Sequence, residues 1–248
     1  MSRLDGQIAL VTGASQGIGL AIAESLAADG AMTILNGRDA AKLAAPVDEI
    51  RAAGHSAEAA AFDTTDEDAV TEAFDRLTAR HGRLDILVNN AGVMRKLDVF
   101  ETTLNDWNHV LNVNMTGPFL CSKAALNVMR EQNSGCIVII GSTAGQRGSP
   151  AGVVSYSAAK AGVTGLAHTL AYTAAPFGVT VNVIAPGLIE TDMLRAGFGP
   201  GLTDAARNVP LGLGQPTDIA EAVLFLAGRS GRYVTGATID VNGGLYVR

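Results

Sequence analysis

The chain has 248 residues, 48% hydrophobic and 17% charged, with a formal net charge of −6 and a mean hydropathy of +0.24. This is the composition of an apolar globular chain, and its length allows one or two domains. The acidic balance, the lack of a basic tract and an aromatic content of 5% argue against nucleic-acid binding, which needs a phosphate-neutralising surface.

No run reaches the roughly 18–20 apolar residues that span a bilayer. The start, MSRLDGQIALVTG, lacks the basic-then-apolar form of a secretory leader. Cys121 and Cys136 lie in apolar contexts without metal-ligand spacing, and His55, His81, His109 and His168 are scattered. The expectation is a soluble cytoplasmic protein with reduced thiols, no metal site and no membrane or nucleic-acid partner.

The first apolar run, QIALVT at 7–12, leads into TGASQGIG and then an Ala- and Leu-rich stretch that predicts a helix over 17–29. Gly13, Gly17 and Gly19, with Ser15, Gln16 and Ile18 between them, form a glycine-rich turn. Such a turn lets backbone approach a pyrophosphate, and the following helix N-terminus offers free N–H groups. The spacing is GxxxGxG, which also serves as plain strand–helix punctuation. No Gly-Lys-Ser/Thr follows, so a P-loop is excluded.

A second strand over 31–35 runs on to Asn36-Gly37-Arg38 and a helix over 39–53. NAD sites usually place a carboxylate here, about 20 residues past the glycine turn, to hold the ribose hydroxyls. Glycine with an arginine behind it suits a 2′-phosphate instead, which a guanidinium binds bidentately. NADP is therefore favoured over NAD.

Strands follow at 57–62, 84–88, 136–140, 179–184 and 237–241, with helices near 66–81, 101–131, 156–175 and 216–228. Glu24, Asp66, Glu67 and Asp68 sit in or before helix first turns as caps. Short β-branched runs alternating with helices predict a single α/β domain over 1–248, doubly wound, with about seven parallel strands. Residues 188–214 carry Gly197, Gly199, Pro200, Gly201, Gly212 and Gly214 around Leu194, Phe198 and Leu202, and are too long for an ordinary connection. They read as a substrate-binding lid or a mobile insertion.

Within VSYSAAKAG, Tyr156 and Lys160 lie one helical turn apart at the edge of the stripe Ala159–Val163–Leu166–Leu170, not on its polar back. Either they are an amphipathic edge, or the ammonium tunes the phenol. A phenol has a pKa of about 10, whereas acid/base work near neutrality favours about 7, a difference of about 4 kcal/mol. A lysine charge about 4 Å away in an effective dielectric near 20 supplies an attraction of that order.

Taken together, TGxxxGxG, Asn89-Asn90-Ala91-Gly92, Asn114 in NVNMTG, Ser142, YxxxK and Pro186-Gly187 closely resemble the short-chain dehydrogenase/reductase family, over essentially the whole chain. The resemblance is to 3-oxoacyl reductase-like members, while NGRDAAKL and AFDTTD look similar to gluconate 5-dehydrogenase-like ones. It implies Tyr156 as general acid/base, Ser142 binding the reacting oxygen, Lys160 on the nicotinamide ribose and Asn114 holding a relay water. Asp63 and Thr64 would contact adenine. Asn90, Ala91 and Gly92 would lie under the cofactor, and Ile189 and Thr191 would hold the carboxamide.

The implied activity is NADP(H)-dependent hydride transfer between nicotinamide and a ketone or secondary alcohol, by a homotetramer. A sugar or polyol dehydrogenase is the variant, and a non-catalytic dinucleotide sensor the distant alternative. Met94, Arg95, Thr143, Arg147 and Leu188 are candidate substrate contacts, with Arg95 or Arg147 suited to an acidic or polyhydroxyl substrate. Where many relatives read Pro-Leu-Gly-Arg, Pro210-Leu211-Gly212-Leu213 stands here.

Overall fold

Alternate residues of each central strand point to opposite faces, so a strand covered on both sides must be apolar throughout. IALV, ILVN and VTVNVIAP have that form and are buried along almost their whole length. The computed structural model describes residues 2–247. Its strands are β1 (Ile8–Val11), β2 (Met32–Gly37), β3 (Ala57–Ala61), β4 (Ile86–Asn89), β5 (Gly135–Ile140), β6 (Val179–Pro186) and β7 (Thr238–Val241). All pair in parallel, in the order β3-β2-β1-β4-β5-β6-β7.

The helices in chain order are α1 (Gly17–Ala28), α2 (Ala40–Ala52), α3 (Glu67–His81), α4 (Leu104–Leu111), α5 (Gly117–Gln132) and α6 (Thr143–Arg147). They continue with α7 (Val154–Ala174), α8 (Asp192–Phe198), α9 (Leu202–Ala206) and α10 (Pro216–Ala227). One core packs Ile22 and Leu26 of α1, Ile50 of α2 and Val223 of α10 onto Val11, Val88 and Val138. The other packs Phe74 of α3, Met129 of α5 and Val163 of α7 onto Leu10, Leu87 and Ile137. Strand order reverses between β1 and β4, and the crevice beyond their carboxyl ends is where an open α/β sheet binds ligands.

Three features differ from the sequence expectation. The helix expected over 101–131 is two helices joined by a π-helical turn, Asn112–Thr116, in which the Gly117 N–H bonds to the Asn112 carbonyl. Glu24 lies within α1 rather than in its first turn and caps nothing, whereas Asp66 does cap α3, accepting from Ala69 N–H at 3.0 Å.

Residues 188–214 are not a structureless loop. Thr191 accepts from Leu194 N–H at 3.2 Å and starts α8, which ends at Gly199, where φ is +51°. The ends of the segment are joined by Glu190 N–H donating to Gly214 O and Gly214 N–H donating to Leu188 O, at 2.8 and 3.0 Å.

Candidate active site

At the end of β1, Thr12 does more than its place in the motif indicates. Its Oγ1 accepts from the Asn90 and Ala91 N–H groups, each at 3.0 Å. The Asn90 amide returns two bonds, to the carbonyls of Thr12 and Gly13, at 2.9 and 3.0 Å. The glycine turn and the NNAG segment are thereby fixed to each other. The fit is close enough that a Cβ on Gly13, at φ +64°, would stand 2.7 Å from Ala91 Cα.

Gln16 precedes α1 with no side-chain cap, so the first-turn N–H groups lack a side-chain partner where Gln16, Gly17, Ile18 and Gly19 line the cavity wall. Unsatisfied donors at the positive end of a helix dipole suit a diphosphate. The chain thus has the cradle a dinucleotide needs.

Beyond β2, Arg38 lines the same cavity. Asp39 is committed to capping α2, accepting from Ala41 N–H at 3.0 Å. Lys42, not singled out from sequence, also lines this end, one helical turn after Arg38. Neither cation has an ion pair among the described residues. The Asn36 amide donates to the carbonyls of Ala60 and Phe62, which ties β2 to β3 just before Asp63 and Thr64. Asp63 accepts from the N–H and hydroxyl of Thr65, at 2.9 and 2.8 Å.

The four residues expected to do chemistry converge from separate elements. Ser142 follows β5 and caps α6, its Oγ accepting from Ala144 N–H at 3.1 Å. That helix lies hard against α7, because a Cβ on Gly145 would stand 2.5 Å from the carbonyl carbon of Lys160. The phenol of Tyr156 is hydrogen-bonded with Ser142. Asn114 is fully buried: its amide donates to Val93 O and Val110 O, both at 2.8 Å, and its Oδ1 accepts from Val93 N–H at 3.3 Å. Gly92 joins the group, since a Cβ there would lie 2.8 Å from Asn114 Oδ1 and 3.8 Å from Lys160 Nζ.

Lys160 departs from the electrostatic expectation. Its ammonium donates to Ile140 O at 2.7 Å and stands 5.6 Å from the centre of the Tyr156 ring. It is 5% exposed, and burial pushes its pKa down to about 8. Burial also pushes the Tyr156 phenol above its ordinary value, with the Ser142 hydrogen bond opposing more weakly. Desolvation therefore outweighs attraction in this arrangement.

Every residue expected at the site except Arg95 lines one cavity of about 590 Å³. Arg95 points to Asp106 instead, at 2.5 Å. Pro186 and Gly187 reach the cavity at the end of β6, where a Cβ on Gly187 would meet Asn242 Cα at 2.8 Å. Leu188, Ile189 and Thr191 continue that wall, with the Thr191 methyl 3.5 Å from the place of a Gly17 Cβ. Met94, Thr143 and Arg147 line it with Phe198 of the 188–214 segment and with Lys96, which the sequence did not mark. Among the described residues no group of three or more His, Cys, Asp and Glu gathers to hold a metal ion, and no helix is long and apolar enough to cross a membrane.

A parallel sheet with its crevice at the strand-order reversal, a diphosphate cradle and a tyrosine, serine, lysine and asparagine beside it define a dinucleotide-dependent oxidoreductase. Residues 7–198 match the family described as short chain dehydrogenase. The chain belongs to that family, and it is an NAD(P)-dependent oxidoreductase of carbonyl and alcohol groups. It is 42% identical over 245 residues to the 3-oxoacyl-[acyl-carrier-protein] reductase FabG of Vibrio harveyi, covering 98% of this chain and 99% of that one. It is 42% identical to the 3-oxoacyl-[acyl-carrier-protein] reductase of Synechocystis, covering 99% of each chain. A solved structure of a putative gluconate dehydrogenase from Agrobacterium tumefaciens is similar with a TM-score of 0.94 and 38% identity, over 99% of this chain and 98% of that one.

Proposed function

We propose that the protein is an NADP(H)-dependent ketone reductase, acting on a 3-oxoacyl or other small carbonyl compound, with Tyr156 as proton donor. The observation that carries this reading is the convergence of Tyr156, Ser142 and Lys160 on one cavity that Arg38 and Lys42 also line, neither with an ion pair among the described residues. When bound, reduced nicotinamide supplies the hydride.

The residues of this chain do the rest. The Ser142 oxygen is held by Ala144 N–H and its hydroxyl is bonded with the Tyr156 phenol, so a substrate carbonyl oxygen between the two would take the Ser142 proton in place of that bond. A phenol whose pKa is raised keeps its proton at neutral pH, and that is the form a donor to a developing alkoxide needs. Lys160 binds the nicotinamide ribose, as the family resemblance implies, and Asn114 orders the backbone around Val93. Arg38 and Lys42 bind the 2′-phosphate. Residues 188–214, joined at their ends, cover the substrate side as a lid. Partly exposed Phe119 on α5 and Phe225 on α10 suit contacts between copies in a cytoplasmic homotetramer.

A sugar or polyol dehydrogenase is the second reading, favoured by the likeness to the putative gluconate dehydrogenase structure. A ketone panel assayed with NADPH and NADH in parallel tests the proposal. Turnover should favour NADPH, and Tyr156→Phe should lower kcat by about 10²-fold or more. A preference for NADH would overturn the cofactor assignment, and an unchanged rate in Tyr156→Phe would overturn the donor.

A further inference from the structure

A ketone reductase needs no positive charge on its substrate side beyond what the reacting oxygen requires, yet two cations stand there. Lys96 is four residues past Gly92, and Arg147 is the last residue of the helix that Ser142 caps. Both segments border the reaction centre, because Leu97 bridges Val153, three residues before Tyr156. Both residues line the same cavity as Tyr156 and Ser142.

Their neighbours show what is unusual about them. Arg95 is paired with Asp106, Arg195 with Glu190 and Arg207 with Asp204, at 2.5, 2.7 and 3.0 Å. Among the described residues neither Lys96 nor Arg147 has an acidic partner. The carboxylates on the cavity wall lie elsewhere. Asp39 caps α2, Asp63 is held by Thr65, and Asp192 follows Thr191 beside Gly17.

Lys96 is also positioned. Its Nζ stands 5.8 Å from the centre of the Phe198 ring, at the far end of α8 from Asp192. Beside it the Met94 methyl touches the place where a Gly197 Cβ would stand. A cation over an aromatic face is held while its remaining donors stay available.

We infer that the substrate ketone carries an anionic group, a carboxylate or a phosphate, which Lys96 and Arg147 bind. The inference rests on the ketone-reductase reading and narrows its substrate class. Hydrogen bonds to charged groups are stronger than neutral ones, and a desolvating cavity strengthens them further. An anion held there orients the ketone carbon toward Ser142 and Tyr156, so the two cations act on specificity.

The test compares matched pairs: a 3-oxo acid and its methyl ester, and a ketose phosphate and its dephosphorylated ketone. Wild-type kcat/KM should favour the anionic member of at least one pair by about tenfold or more, and the pair that shows it identifies carboxylate or phosphate. In Lys96→Met and Arg147→Met that ratio should fall by about tenfold, mainly through KM, with Lys96→Arg restoring part of it. Titration of the free anionic ketone into Tyr156→Phe protein, followed calorimetrically, should give binding that Lys96→Met weakens. Equal kcat/KM within both pairs, or a preference that survives both methionine variants, overturns the inference and leaves the reductase reading intact. No turnover of any ketone overturns the reading itself, and the calorimetric titration still decides whether the anion site exists.

Discussion

Lys160→Met isolates the cost of burying an ammonium at the site. The ordinary lysine value of 10.5 falls to about 8 here, because the 5%-exposed side chain loses its water. At about 1.36 kcal/mol per pKa unit, the burial penalty on the charged form is about 3 kcal/mol. The sign follows from linkage. Below pH 8 both folded and unfolded chains carry the proton, and the full penalty is present. Between about 8 and 10.5 only the unfolded chain holds it, so stability rises with pH.

Wild-type protein without nucleotide should therefore gain on Lys160→Met by about 1.4 kcal/mol per pH unit across that window. The variant also loses the bond to Ile140 O. The neutral amine of the wild type still donates there, so that loss shifts the difference without altering its slope. Urea denaturation of both proteins at pH 7.5, 8.5 and 9.5 measures it. A stability difference flat across these pH values would refute the burial argument.

Asn114→Ala removes both donors to Val93 O and Val110 O and the acceptor for Val93 N–H at a fully buried position. Leaving such groups unpaired should cost about 2–4 kcal/mol, seen as a Tm lower by about 5–12 °C in a thermal melt. Burial pushes the thiols of Cys121 and Cys136 up to about 12 and about 11, so neither should react with a disulfide reagent in folded protein at pH 8, and both should on unfolding. Rapid labelling of either cysteine in the native state would show that its helix or strand opens.

The central strands were legible because a strand covered on both faces is a nearly continuous apolar run, as in IALV, ILVN and GCIVII, while the edge strands AEAAA and TIDV, half-exposed, were marked only by their place in the alternation. The diphosphate cradle was legible because Gly13 and Gly17 need positive φ and Gly13 a close backbone approach as well, which few other residues allow. The π-helical turn at Asn112–Thr116 left no such mark. It changes which carbonyl each N–H meets without changing the polarity pattern of NHVLNVNMTG. The helices α6, α8 and α9 are five to seven residues long, too short for a periodic signal, and the Ser142 and Thr191 side chains that cap two of them drew the eye only as site residues. Lys96 was illegible for a different reason: its place depends on where Phe198 comes to rest, about a hundred residues later.

The electrostatics of the tyrosine–lysine pair carry the same lesson into the chemistry. Spacing alone put an ammonium one turn from a phenol and implied a lowered phenol pKa through attraction. Burial reverses that, because both groups lose water and the ammonium turns to the Ile140 carbonyl. A phenol that holds its proton is a poor base but a serviceable acid, so the site as folded is set for giving a proton to oxygen. Burial thus keeps the Tyr156 phenol in the protonated form that the proposed reduction uses, and no motif records that desolvation.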